Sequence, residues 1–158
     1  MARVPEAGQG ALAGTMSDFS ANGQCLCGAV RVLAKARPLR MAHCHCRDCQ
    51  RVSGAGHTSN ALFDAAHVEV TGETSSFAVK ADSGNTLTRH FCPVCGSRVF
   101  ATNSGRPGMI VLAAGTFDDS SWFKPQAVLY TRSRHEWDTA DDTVPAFAAM
   151  SPPPPSRR

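Results

Sequence analysis

The sequence predicts a mainly β domain of short strands, and three observations carry that expectation. Short runs rich in Val, Thr and Phe alternate with Gly and Pro turns, while no dozen-residue stretch carries the 3.6-residue period of an amphipathic helix. Leu, Ile, Val and Phe make up only 29 of the 158 residues, so the core holds few large side chains. Seven cysteines fall into three tight groups, which supply the staples that a thin core needs.

The strands follow in order. Residues 29–34 are β-rich around Val30 and Val32 and end at Arg37-Pro38. Residues 58–63, 68–71 and 74–80 read as strands, with Gly72 at the turn between the last two. Residues 85–91 and 98–102 flank a cysteine turn, and 109–113 and 127–132 are the most apolar of the remaining strands. One short helix is expected over 47–52, between Cys46 and Gly54. Residues 1–16 read as a flexible leader, 17–149 as a single zinc-binding domain, and 150–158, which contain SPPPPSRR, as a Pro-rich disordered tail.

Composition narrows the function classes. A formal net charge of +3 with no basic run argues against nucleic acid, and the longest strongly apolar stretch, 109–114, is far too short to span a membrane. The leader lacks the apolar run of an export signal, so a cytoplasmic location is expected and disulfides are not. An odd number of cysteines also fits metal ligation better than complete pairing.

The cysteine groups are Cys25-Leu26-Cys27, Cys44-His45-Cys46-Arg47-Asp48-Cys49 and Cys92-Pro93-Val94-Cys95-Gly96. A C-x-x-C turn aims two thiolates at one ion, and a tetrahedral zinc site needs two more ligands. A C-x-C on an extended segment places both side chains on one face, so Cys25 and Cys27 complement Cys92 and Cys95. Those four make a closed structural site. Cys44, Cys46 and Cys49 are left as three ligands around an ion with an open fourth position, where zinc does chemistry. Pairing Cys92 and Cys95 with two cysteines of the middle group is the alternative partition, and iron also suits a four-thiolate site. His43, His45 and His90 flank these groups and read as packing residues or partners of the ligands.

These motifs resemble the glutathione-dependent formaldehyde-activating enzymes, a family grouped with centromere protein V. The resemblance rests on Gly23-Gln24-Cys25-Leu26-Cys27-Gly28-Ala29-Val30, Cys44-His45-Cys46-Arg47-Asp48-Cys49 with Gly54, and Arg89-His90-Phe91-Cys92-Pro93-Val94-Cys95-Gly96-Ser97. Ala114-Gly115-Thr116-Phe117-Asp118-Asp119, Trp137 and Val144-Pro145-Ala146-Phe147 extend it. It implies a twisted β-tent fold with two zinc ions, one structural on Cys25, Cys27, Cys92 and Cys95 and one catalytic on Cys44, Cys46 and Cys49. It further implies a carbon–sulfur lyase joining glutathione and formaldehyde as S-hydroxymethylglutathione, with a small thiol and an aldehyde as substrates.

Arg47 and Arg51, a helical turn apart, are candidates to meet glutathione carboxylates, their plain alternative being a solvated helix face. Many family members carry His where this chain has Val128, a departure that leaves the substrate open. Two other functions fit the same motifs: a non-catalytic zinc-stabilised binding module, and an enzyme for a different thiol or electrophile.

Overall fold

In the computed structural model, residues 19–151 are described. The expected leader and the Pro-rich tail from residue 152 onward lie outside that range. Among the described residues, eleven strands, β1 to β11, run in chain order over Ala21–Gln24, Arg31–Ala34, Arg40–Cys44, Thr58–Asp64, Val68–Thr71, Ser75–Lys80, Thr86–Phe91, Arg98–Asn103, Met109–Ala113, Val128–Leu129 and Ala146–Phe147. The α-helix among the described residues, α1, spans Arg47–Ser53. The mainly β expectation holds.

The strands form two sheets. One has the order β1-β2-β5 and the other β11-β10-β3-β4-β9-β8-β7-β6. Pairing is antiparallel except at one end of the larger sheet, where β10 lies parallel to both β3 and β11. Two-residue β10 therefore bridges strands from distant parts of the chain, aligning Leu129 with Cys44 and with Phe147.

Side chains from both sheets meet in one apolar cluster. Val30, just before β2, and Val32 and Ala34 of β2 pack with Phe63 of β4, Val99 of β8 and Leu112 of β9, and Phe117 and Trp122 close it with their rings 5.0 Å apart. The largest fully buried side chains include His45 and Cys92 beside Phe63 and Leu112. Ligand-type residues thus occupy positions that a larger domain would give to aliphatic ones, as the sparse apolar composition implies.

Three details differ from the sequence reading. The expected strand 127–132 stops at Leu129, because Tyr130 takes a left-handed conformation (φ 59°) and leads into a 3-10 turn at Thr131–Ser133. Strands β1, β3 and β11 were not expected at all. Cys25 and Cys27 lie beyond the end of β1, in a turn, so strand alternation is not what brings their sulfurs together.

Candidate functional site

Two turns of similar design build the first cysteine group. In one, the Cys25 amide donates to the Val30 carbonyl (2.9 Å), Gly28 turns at φ 77°, and the Val30 amide donates to Cys25 Sγ (3.2 Å). In the other, the Cys92 amide donates to Ser97 O and the Gly96 amide to Cys92 O, both at 2.9 Å, with Gly96 at φ 74°. Positive φ at these two glycines lets each chain segment curl around its sulfurs.

Cys25, Cys27, Cys92 and Cys95 then place their four sulfurs within 4.8 Å of one another. Cys25 Sγ lies 3.6 Å from Cys27 Sγ, which lies 3.7 Å from Cys92 Sγ. A zinc ion bonded to four thiolates at about 2.3 Å spaces them about 3.8 Å apart, so the cradle has the size the ion requires. Ser97 adds polar support, accepting from the Leu26 amide at 3.1 Å and lying 3.3 Å from Cys95 Sγ. Its hydroxyl and backbone hold the Cys95 thiol down at about 5.

The second group sits where β3 runs into α1. Cys44 ends β3, and Cys46 is the N-cap, its sulfur accepting from the Cys49 amide at 3.4 Å. Cys49 stands in the first turn, and Gly54 closes the helix in the left-handed conformation (φ 66°), donating to Gln50 O. Buried Gln50 secures the helix by donating to the carbonyls of His45 (2.7 Å) and Ser133 (2.8 Å). The three sulfurs lie within 4.8 Å of one another, and among the described residues no fourth Cys, His, Asp or Glu atom joins them.

Their proton affinities diverge. Hydrogen bonds from the Cys44 and Cys46 thiols, aided by Thr58 and the Arg98 charge, hold the Cys49 thiol down at about 3. The same bonds, with burial, push Cys44 far up. Only one sulfur ionises readily by itself. Three thiolates this close need a cation among them, so both cysteine groups can hold a metal ion.

The cysteine triad opens into a cleft of about 920 Å³ across β3, β4, β9, β8 and β7. Six arginines and Lys80 line it, against two aspartates, Asp48 and Asp82. Both aspartates are already matched, Asp48 with Arg89 (3.3 Å) and Asp82 with Arg132 (3.2 Å). Arg40, Arg47, Arg98, Arg106 and Lys80 are therefore left without a carboxylate among the described residues.

Arg98 on β8 is mostly buried beside the sulfurs. Its Nη2 donates to Asn60 Oδ1 (2.9 Å), while its Nε is buried with no partner. Burial pushes its pKa down and the Cys49 charge opposes that shift. Neither Arg89 nor Arg98 was singled out from the sequence. Their signal is positional: each lies within six residues of Cys92 or Cys95 on a strand that flanks the cysteine turn.

The residues that were singled out separate. Arg47 lines the cleft, with Nη1 2.6 Å from Gln50 Oε1 and 2.9 Å from His135 Nε2. Arg51 lies on the exposed side of α1 and is not among the lining residues. Val128, the departure from the family pattern, is buried in β10 and does not reach the cleft, whose lining there is Leu129. His90 stacks on Phe100 at 4.1 Å, and His43 bonds to Ser59 (3.1 Å), so both pack as expected.

A family model described as glutathione-dependent formaldehyde-activating enzyme matches residues 20–133. The chain belongs to this family. The match takes in all three cysteine groups, Arg89 and Arg98. No curated protein matches the chain. Among solved structures, a Rhodobacter sphaeroides protein matches at 17% identity with a TM-score of 0.49, over 61% of this chain and 87% of that one. As a member of the formaldehyde-activating family, the chain falls in an enzyme family whose named substrates are small molecules. None of the helices among the described residues is long and apolar enough to cross a membrane.

Proposed function

We propose that this family member is a zinc-dependent carbon–sulfur lyase that joins a small anionic thiol to an aldehyde, glutathione and formaldehyde being the pair its family description names. Cys25, Cys27, Cys92 and Cys95 would hold a structural ion, and Cys44, Cys46 and Cys49 a catalytic one. The observation that carries this reading is a three-sulfur group, lacking a fourth protein ligand among the described residues, at the wall of a cationic cleft. Zinc held on three thiolates supplies an open position that favours sulfur and lowers the pKa of a thiol.

The protein's own groups do the rest. Five unmatched cations attract the thiol's carboxylates, Arg98 among them beside the cysteines. In the reaction the thiol sulfur forms a bond to the carbonyl carbon, the C=O π pair moves to oxygen, and the proton lost by sulfur ends on that oxygen. The reverse breaks the carbon–sulfur bond and returns the aldehyde. Cleft charge is also compatible with the other enzyme reading, a different thiol or electrophile.

Cobalt in place of zinc tests the open position. Glutathione added to the cobalt protein is expected to strengthen sulfur-to-cobalt charge-transfer absorption, with a matching rate of S-hydroxymethylglutathione formation on adding formaldehyde. No response to glutathione or to any simple thiol would overturn the reading in favour of a binding module with two closed sites.

Arg98→Gln separates anion binding from thiol binding. It is expected to weaken glutathione about 10-fold, the worth of one charge-assisted hydrogen bond. 2-Mercaptoethanol, which has no carboxylate, should bind as before. Equal weakening of both thiols in the same titration would assign Arg98 to the metal site and not to the substrate.

A further inference from the structure

His45 lies between Cys44 and Cys46 in the chain but groups with His57 and Asp138 and not with the sulfurs. There it is 1% exposed, and neither ring nitrogen has a hydrogen-bond partner. Buried imidazoles without partners are rare in folded proteins.

Two other side chains converge on it. His45 Nδ1 lies 3.0 Å from Asp138 Oδ2, close but not aligned for donation. His57 Nδ1 lies 2.9 Å from the same oxygen and 3.1 Å from Oδ1. The three donor atoms fall within 4.8 Å of one another. The His45 approach is the misaligned one, as for a ring whose lone pair points past the carboxylate oxygen, whereas the His57 contact has hydrogen-bond geometry. Zinc–ligand bonds of about 2.0–2.1 Å set neighbouring donors about 3.3 Å apart, so the contacts need to widen by only a few tenths of an ångström.

The surroundings fix this geometry. A Cβ at Gly56 would overlap the Asp138 carboxylate, so the turn before β4 is shaped to admit that side chain. The loop carrying Asp138 is held by His135, which contacts Arg47 and Gln50 and stacks on Trp137 at 5.1 Å.

We propose that His45, His57 and Asp138 form a third metal site for a divalent ion of the zinc class. Two imidazoles and one carboxylate, without sulfur, suit such an ion, and three protein ligands leave a position for water. Entry is from the side of His57 and Asp138, whose side chains are 27% and 12% exposed. The ion ties three segments together: the end of β3, the turn before β4 and the loop around Asp138. It shares no ligand with either cysteine group, so its existence does not depend on the lyase reading.

Metal counting on the full chain tests it. Metal-free protein is dialysed against cobalt at a fixed free concentration, for the wild type and for Asp138→Asn and His57→Ala. Wild type is expected to retain one cobalt more per chain than either variant, with sulfur-to-cobalt absorption unchanged, because the lost ion has only nitrogen and oxygen ligands. Equal cobalt content in all three proteins would overturn the site. So would loss of sulfur-to-cobalt absorption together with the ion, which would mean that these residues only buttress the cysteine triad.

Discussion

Cys92→Ser is expected to abolish the folded state under conditions where the wild type is fully folded. Cys92 is completely buried, and its sulfur lies 3.7 Å from that of Cys27, which is 65 positions earlier in the chain. A structural zinc site contributes an apparent free energy of about 10–16 kcal/mol in small zinc domains, comparable to or larger than the whole stability of a typical domain, about 5–15 kcal/mol. Losing one of four ligands removes a large part of that. Thermal unfolding followed by far-UV circular dichroism, together with zinc content, reads the effect. A cooperative transition within a few degrees of wild type would show that the four-cysteine group is not what holds the two turns together.

Cys49→Ser should behave in the opposite way. Its sulfur belongs to a group spanning six residues, around a helix that Gln50 independently fastens to His45 and Ser133. The expected result is a melting temperature within about 5 °C of wild type, as for a loss of about 1 kcal/mol. The proposed lyase activity should fall about 100-fold or more, since even residues that only support a metal ligand are worth about 10–100-fold. The cobalt protein should also lose its response to glutathione. Retention of more than a tenth of the activity would remove Cys49 from the catalytic group.

What the sequence made legible follows from how local each signal is. The cysteine groups could be partitioned because C-x-C, C-x-C-x-x-C and C-x-x-C bring ligands together within a single turn, and their sulfurs do cluster in that way. Strands β4, β5, β8 and β9 stood out because apolar and β-branched residues recur along them. Strand β1, Ala-Asn-Gly-Gln, buries only Ala21 and Gly23, where a Cβ on Gly23 would run into the Thr116 carbonyl; small residues give no hydrophobic pattern. Strand β3, Arg-Met-Ala-His-Cys, was masked by residues that read as chemistry. The cleft's arginines other than Arg47, and the His45, His57 and Asp138 group, were hidden for another reason. Their members come from separate elements, and nothing in their spacing announces that the sheet brings them together.

The parallel placement of β10 orders events during synthesis. A nascent chain has all four cysteines of the first group available once residue 95 has left the ribosome, so that group can take its ion while the rest is still being made. The triad's thiols emerge sooner, but Cys44 gains its neighbour Leu129 only when β10 inserts beside β3, and β10 gains its outer partner only with Phe147. Contacts over such separations form late. On the proposed assignment, the four-cysteine group can take its ion before the triad is fully enclosed, and a chain released before β10 would carry that ion without an enclosed triad.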